Sequence, residues 1–439
     1  MFPARSDVVD LETGPRVVSL FPIAFGDDCG ATVSVEWVAT ATPERPAELR
    51  ATLTNRNEFR AKFRTRSLPP FHGVCSSRLR ERAGASATVY LAPTADHPLV
   101  DERTSYERGD DGYWHAAEVP PEQPASLWLD PEESITGEYH LLCHADTEGF
   151  PTGRYRFGGS DGGFSISVWD ADAPGPAEGS AFEGVALPPL PRDAGTAWHH
   201  EADATTETYL RPTVEEAVIP GRLDFELVNR SHDQVEGNPL EWHLYKLRGG
   251  EWYRIAPPET PQPLSHLSPG DTKPYTLRVF RGDPVPCDRG YDVGHLGGGR
   301  YALEVGTWGS AVRAVAFDLL GDPVEVTPGD ALTAVERDGD SLLATAERGD
   351  AGGEHSRLAK YTLARVDSVP ADADPQRLVA EQVLRRDQLR DALGLLDRYD
   401  ARSVTIAEYD STRPPFGFRE SGFVEYRGDV YEITTEAEE

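Results

Sequence analysis

Ser160 lies in a pattern that many hydrolytic enzymes use for nucleophilic catalysis. The stretch "GGSDG", Gly158–Gly162, matches the G-x-S-x-G pattern of serine hydrolases. That chemistry requires a strand, a sharp turn and a helix, because the hydroxyl must lie at the start of the helix. The residues that follow, "GFSISVWD", predict a strand instead. We therefore expect Ser160 to lie at the tip of a hairpin and predict that it is not a nucleophile.

Neighbouring cysteine and histidine residues supply the atom types that bind zinc. His72 and Cys75 form H-x-x-C, and Cys143 is followed by His144. None of these pairs has the C-x-x-C spacing that is typical of zinc sites. Thiols buried near strand ends are the favoured interpretation, and we predict neither a metal nor a cofactor. The spacing of the four cysteines implies no disulfide framework, so free thiols are expected.

Two further motifs carry groups that bind ligands or accept modifications. "WHHEAD", Trp198–Asp203, places two imidazoles beside two carboxylates without the H-E-x-x-H spacing of helical zinc sites, so it predicts a solvated turn. "NRS", Asn229–Ser231, fits the glycosylation acceptor, whereas the related "NRN" at Asn55–Asn57 does not. Both stretches share an asparagine that favours turns, and we interpret it as structural. We predict no catalytic residue.

The charge of the chain is strongly one-sided. The sequence has 43 basic and 74 acidic residues, for a net charge of −31, and 439 residues suggest two to four domains. Nearly all positive charge is arginine, because there are only four lysines: Lys62, Lys246, Lys273 and Lys360. This composition resembles that of proteins from salt-loving archaea, although an ordinary acidic protein remains the alternative.

Thermal stability is expected to increase with salt. Self-repulsion at a net charge of −31 opposes folding, and at about 1 M salt the Debye length falls to roughly 3 Å. Melts in about 0.1 M and about 3 M KCl should therefore differ by many degrees, with the high-salt sample melting later. Equal melting temperatures would contradict the halophilic interpretation.

Composition and the first residues also bear on location and partners. The start, "MFPARSDVVDLETGPRVVSLFPIAFGDDCG", lacks a basic region followed by an apolar run, so a cytoplasmic protein is predicted, or an extracellular one if the gene start is wrong. No run approaches the ~20 apolar residues that span a bilayer. Nucleic acid is not predicted as a partner, because phosphate binding needs clustered positive charge and the chain is strongly acidic. A protein partner is compatible with the composition.

The chain contains almost the same phrase twice. "AELRATLTN", Ala47–Asn55, and "RLDFELVN", Arg222–Asn229, both alternate apolar and polar residues, which predicts strands with one buried face. "GYWHAAE" and "GEWYRIA", "LDPEESITGEYHLL" and "LSPGDTKPYTLRVF", and "TGRYRF" and "GGRYAL" follow in the same order. We predict a duplicated β-domain in which Asn55 superposes on Asn229.

Aromatic residues anchor the proposed duplication. Trp114 and Trp252 are predicted to superpose and to plug the two sandwiches, and Tyr155 is predicted to superpose on Tyr301. The "G-R-Y" unit resembles the tyrosine corner of immunoglobulin-like sandwiches. The order of these motifs is similar to that of bacterial immunoglobulin-like modules and of the intracellular proteinase-inhibitor domain of bacilli. The resemblance implies a β-sandwich fold, and no functional residue transfers from either family.

The predicted fold class is mainly β, with two immunoglobulin-like β-sandwich domains in tandem followed by a small α+β domain. The predicted segments are an N-terminal extension at 1–30, a sandwich with a long insertion at 31–170, a Pro/Gly/Ala-rich linker or wrapped extended segment at 171–205, a second sandwich at 206–322, and the α+β domain at 323–439. In the last segment, "DPQRLVAEQVLRRDQLRDALGLLDRYD" predicts one helix that begins at the Asp374 cap and Pro375.

A non-catalytic binding or scaffold protein is the predicted function, because sandwich repeats commonly act as scaffolds. An enzyme with its site at a domain junction or in the α+β domain is the alternative. The predicted partner contact is the stiff, apolar stretch Pro69, Pro70 and Phe71, which Arg64 and Arg66 precede. The same "PPF" recurs at Pro414–Phe416, so a structural plug buried against its own sandwich is the other interpretation.

Overall fold

A computed structural model describes residues 8–23, 30–72, 76–78, 89–121, 123–159, 162–257, 263–287, 290–308, 310–348, 353, 355–371, 373–417 and 422–437. The protein is mainly β, as the period-two patterns predict, with 50% of residues in strands and 7% in helices. The strands form several separate sheets. Neither helix of the described part is both long and apolar enough to cross a lipid bilayer.

The described residues between 8 and 170 form thirteen strands. In chain order they are β1 (Val8–Leu11), β2 (Arg16–Ile23), β3 (Ala31–Ala39), β4 (Ala47–Asn55), β5 (Ala61–Arg64), β6 (Ser77–Arg78), β7 (Val89–Pro93), β8 (Tyr106–Arg108), β9 (Trp114–Ala116), β10 (Ser126–Leu129), β11 (Ser134–His144), β12 (Gly153–Gly159) and β13 (Gly162–Asp170). One sheet has the order β1-β2-β13-β12-β6, and a second has the order β3-β4-β11-β9-β8 with β7 also paired to β11. Strands β5 and β10 form a separate antiparallel pair.

The first sheet includes residues that were predicted to be an N-terminal extension. Strand β2 pairs with β13 from Arg16 to Ile23, and Val18 and Leu20 are buried in the same core as Leu49 of the second sheet. The prediction of a separate extension is therefore wrong for residues 8–23. Val17, Val18 and Leu20 are buried because β2 pairs with a strand that lies far away in the sequence.

The described residues between 195 and 320 form twelve strands in two sheets. They are β14 (Gly195–Trp198), β15 (Thr208–Pro212), β16 (Glu216–Val218), β17 (Gly221–Asn229), β18 (Val235–Gly237), β19 (Trp242–Arg248), β20 (Glu251–Ala256), β21 (Ser265–Leu267), β22 (Thr272–Val279), β23 (Tyr291–Val293), β24 (Gly299–Trp308) and β25 (Ala311–Leu320). One sheet has the order β15-β17-β22-β23. The other has the order β14-β25-β24-β18-β21, with β16 on β25 and β19 between β20 and β24.

Residues 171–205 wrap around the larger of these sheets. Strand β14 pairs in parallel with β25, and Phe182, Leu190 and Trp198 are buried on the sheet face that lies away from the sandwich core. Of the two interpretations of this stretch, a wrapped extended segment describes it and a free linker does not.

The two tryptophans do not occupy equivalent positions, so that part of the predicted superposition is wrong. Trp114 lies on β9, in the sheet that contains Asn55. Trp252 lies on β20, in the sheet that does not contain Asn229. Its ring stacks on Trp198 with centroids 5.9 Å apart and belongs to the cluster beneath the wrapped segment, not to the sandwich core.

The described residues from 332 to 437 form one mixed sheet and two helices. The strands are β26 (Leu332–Asp338), β27 (Ser341–Ala346), β28 (Arg357–Val366), β29 (Gln376–Leu378), β30 (Ser403–Asp410), β31 (Gly422–Tyr426) and β32 (Asp429–Ala437), and the helices are α1 (Ala380–Val383) and α2 (Asp387–Tyr399). The sheet has the order β26-β27-β30-β28-β32-β31-β29. Leu389, Leu393 and Leu396 of α2 share a core with this sheet.

The predicted single helix is shorter and interrupted. Gln376–Leu378 pair in parallel with β31, and α1 ends at Val383 before α2 begins at Asp387. The prediction that Asp374 caps a helix is therefore wrong. Backbone hydrogen bonds to a sheet edge replace the first helical turns here, and a helix pattern in the sequence does not reveal that edge.

Candidate functional site

The residues predicted to contact a partner are buried. Phe71 is 0% exposed, and its ring meets Tyr139 edge-on with centroids 6.4 Å apart. The Pro70 carbonyl oxygen accepts a hydrogen bond from the Gln123 amide at 2.7 Å, and Pro69 is buried beside it. Because these groups face the core of their own sandwich, the contact prediction is wrong for Pro69, Pro70 and Phe71. The plug interpretation describes them.

Strand β5 and the 3-10 turn that follows it, Thr65–Ser67, expose a row of cations before this plug. Successive side chains of a strand point to opposite faces, so every second residue shares a face. Phe63 on β5 and Thr65 directly after it are buried. The side chains between and around them are exposed and positively charged: Arg60, Lys62, Arg64 and Arg66.

An exposed tryptophan lies in the same row. Trp128 on β10 is paired with Lys62 in register and is 56% exposed. The Arg60 guanidinium carbon lies 5.6 Å from the Trp128 ring centroid, and the Lys62 ammonium nitrogen lies 6.0 Å from it. Each such cation–π contact contributes about 0.5–1 kcal/mol at an exposed site. Trp128 therefore holds two cations in place; we call Arg60, Lys62, Arg64, Arg66 and Trp128 the cationic face.

The charge of this face is exceptional for this chain. Five of the eleven residues from Arg56 to Arg66 are cationic, whereas Lys and Arg together number 43 in 439 residues. Arg60 lies 3.4 Å from an oxygen of Asp130, and both side chains are exposed. Lys62, Arg64 and Arg66 have no ion-pair partner within the described ranges. Exposed guanidinium groups form paired hydrogen bonds with carboxylates or phosphates, so this face suits an anion.

The corresponding strand pair in the other sandwich carries no such charge. Strands β18 and β21 correspond to β5 and β10. The Asn55 amide donates to the Leu129 carbonyl at the end of β10, and the Asn229 amide donates to the Leu267 carbonyl at the end of β21. There, Glu236 is paired with His266, and the Nδ1 of His266 lies 3.6 Å from a carboxylate oxygen of Glu236. The fold therefore does not require cations at this position.

Sequence reasoning noticed only part of this face. The prediction places Arg64 and Arg66 beside the proline stretch and does not include Trp128. The signal that was available is "RAKFRTR", in which cations alternate with inward-facing residues. Its pairing with Trp128, more than sixty residues later, depends on the β5–β10 register.

The thiol and serine predictions fall partly outside the described residues. Cys29, Cys75 and Ser160 lie outside the described residues. The strands that flank Ser160, β12 and β13, are antiparallel and pair up to Gly159 and Gly162, as a hairpin requires. Cys143 is a buried free thiol one residue before the end of β11, and its burial raises the pKa of the thiol well above the usual range. A protonated thiol is a poor nucleophile and a poor metal ligand.

The histidines of "WHHEAD" are buried, so the prediction of a solvated turn is wrong for them, whereas Glu201 and Asp203 are exposed. His199 and His200 form a 3-10 turn after β14, and the His200 ring lies 5.6 Å from that of Trp198. Burial lowers the pKa of His199, which favours the neutral imidazole. The Asn229 amide is also buried and donates to the carbonyls of Asp233 and Leu267, which leaves it inaccessible to glycosylation and agrees with its structural interpretation.

One buried polar cluster has the residue types of a metal site. Glu241, His243 and Glu304 each place one ligand atom within 4.8 Å of the others. The same Arg192 nitrogen lies 2.5 Å from Glu241 Oε1 and 2.7 Å from Glu304 Oε1, and Tyr245 donates to Glu304 at 2.9 Å. Arg192 belongs to the wrapped segment, so its guanidinium neutralises the carboxylates and anchors that segment to the sheet.

No protein-family model matches the sequence, and no curated protein matches it significantly.

Proposed function

We propose that this chain is a non-catalytic binding or scaffold protein that works at high salt and binds a protein partner through the cationic face. In this proposal, residues 8–170, which include β1 and β2, and residues 206–322 are two immunoglobulin-like modules, and residues 323–439 are a small α+β domain. The cationic face belongs to the first module alone.

Two matched features support the assignment of immunoglobulin-like modules. The Tyr155 hydroxyl donates to the Pro151 carbonyl at 2.8 Å, and the Tyr301 hydroxyl donates to the Gly297 carbonyl at 2.7 Å. Both tyrosines thus bond to the backbone four residues upstream, as in the tyrosine corner. The asparagines match as well, because the amides of Asn55 and Asn229 each donate to the carbonyl four residues downstream.

The observation that carries the functional proposal is the exposed row of cations beside Trp128, of which Lys62, Arg64 and Arg66 have no ion-pair partner within the described residues. Because a net charge of −31 already favours solubility, a row of exposed positive charges does not increase the solubility of this protein. Arginine and tryptophan are the residues that most often dominate the free energy of binding at protein interfaces. The second module, which lacks this row, supplies the comparison within the same chain.

Affinity capture from source cells at high salt tests the proposal. The wild type is compared with Lys62→Glu/Arg64→Glu and with Arg45→Glu, which changes charge at an exposed site next to the opposite end of β4. A specific protein should be recovered with the wild type and with Arg45→Glu, and be lost with the double variant. Equal recovery with all three would reject the cationic face as the binding surface. Thermal melts of the variants check that each one is folded.

A further inference from the structure

We propose that the cationic face binds an extended acidic protein segment that carries carboxylates at every second residue. This inference rests on the proposed function and specifies the partner chemistry of the same face. Arg60, Lys62 and Arg64 alternate along β5 and the residue before it, so their positions on the backbone are separated by two residues, or about 6.6 Å, and Arg66 follows in the 3-10 turn Thr65–Ser67. An extended acidic segment repeats at the same distance when every second residue is Glu or Asp. Three successive carboxylates can then each meet one of Arg60, Lys62 and Arg64, and Arg66 borders the end of this row.

The face is ordered before a partner arrives. Arg60 and Lys62 both lie against the Trp128 ring, and Arg60 is also close to Asp130. Ordering a long side chain on binding costs about 0.5–1.5 kcal/mol. Cations that are already held by an aromatic ring avoid part of that cost. The pairing of β5 with β10 keeps Trp128 and Lys62 in register.

An acidic peptide fits these observations better than nucleic acid. Single-stranded nucleic acids bind through bases that stack on free aromatic rings. Trp128 is the large aromatic side chain of this face, and two cations already lie within 6.0 Å of its ring. A longer polyphosphate also extends beyond the four cations and meets the rest of a molecule with net charge −31. A short acidic segment confines its charge to the face.

High salt makes the spacing of the carboxylates decisive. At about 1 M salt the Debye length is roughly 3 Å, so charges that are not in direct contact contribute little. Two peptides of equal net charge then differ only by how many carboxylates contact a cation. Because its cations alternate with inward-facing residues, the cationic face should therefore prefer a peptide whose acidic residues also alternate.

Peptide binding at two salt concentrations tests this inference. The full-length protein is titrated into a fluorescent peptide in which Glu and Thr alternate, and into a peptide of the same composition with all Glu residues in one block. Anisotropy gives Kd at about 0.15 M and about 1 M KCl. We expect the alternating peptide to bind at least about tenfold more tightly at the higher salt. Arg64→Glu should abolish this preference, and Arg45→Glu should leave it unchanged.

Three outcomes would overturn the inference. Equal affinity for the two peptides would mean that the face binds anions without regard to spacing. Tighter binding of a thymidine oligonucleotide of matched charge would assign the face to nucleic acid. Unchanged binding by Arg64→Glu would place the peptide elsewhere. When the peptides show no preference, the capture experiment separates the two proposals. Loss of the captured protein with Lys62→Glu/Arg64→Glu would keep the cationic face as the binding surface and reject only the preference for alternating carboxylates. Unchanged capture with that double variant would reject both proposals.

Discussion

Replacing Glu381 by glutamine is expected to lower the free energy of unfolding by about 3–5 kcal/mol, because it leaves a buried lysine without its counter-charge. The Lys246 ammonium on β19 donates to the Glu381 carboxylate on α1, and the two side chains are 10% and 2% exposed. The same carboxylate oxygen accepts weaker hydrogen bonds of 3.3 Å from the Gly297 amide and the Tyr301 hydroxyl. The pair therefore joins the second sandwich to the C-terminal sheet and its helices.

Denaturant unfolding of Glu381→Gln against the wild type measures this loss. Glu251→Gln is the matched control, since Glu251 and Arg377 bridge the same two parts at 3.1 Å but are 50% and 57% exposed. An exposed pair contributes about 0–1 kcal/mol, so the control should be nearly neutral. A double variant, Lys246→Met/Glu381→Leu, should recover much of the loss because it removes both buried charges. Equal effects of Glu381→Gln and Glu251→Gln would contradict the role of burial.

Phe71→Ala should also destabilise the protein by about 3–5 kcal/mol, the usual loss when a fully buried phenylalanine is truncated. Phe71 packs in the same core as Leu68, Phe63 and Tyr139. Removing the ring opens a cavity between them, and the neighbouring Pro69–Pro70 backbone limits how far the segment can collapse into it. Chemical denaturation gives the change in the free energy of unfolding.

Phe59→Ala is the control for this prediction. Phe59 lies in the turn after β4 and is 64% exposed, so its truncation should change the free energy of unfolding by less than about 0.5 kcal/mol. In conditions where Phe71→Ala still folds, affinity capture with Phe71→Ala should recover the same partner protein as capture with the wild type. A neutral Phe71→Ala, or loss of the partner from a folded Phe71→Ala, would return this residue to the binding surface.

Local pattern was sufficient wherever short-range geometry decides the structure. The alternation in "AELRATLTN" and "RLDFELVN" correctly predicted β4 and β17, because a strand with one buried face needs period-two hydrophobicity regardless of its partners. Asn55 and Asn229 end these strands and bond to the backbone of the following turn, as their side-chain chemistry favours. The apolar spacing of Leu389, Leu393 and Leu396 likewise predicted a helix at α2.

The features that local pattern did not predict depend on pairing and packing between segments that are distant in the sequence. The sequence around Trp252 resembles that around Trp114, yet only the sheet order puts Trp252 beneath the wrapped segment. Gln376–Leu378 continue a helical pattern but pair with β31, whose edge lies about fifty residues later. Phe71 is as apolar as Phe59, and only the surrounding sandwich makes the first a plug and leaves the second exposed.

The candidate site divides in the same way. The alternation in "RAKFRTR" is visible in the sequence and places Arg60, Lys62 and Arg64 on one side of a strand, because the side-chain period of a strand is two. The structure adds that Arg66 lies in a 3-10 turn, that Trp128 lies beside Arg60 and Lys62, and that Pro69 and Pro70 are buried. The physical reason is that periodicity depends on neighbouring residues, whereas strand register and burial depend on contacts between residues that are distant in the chain.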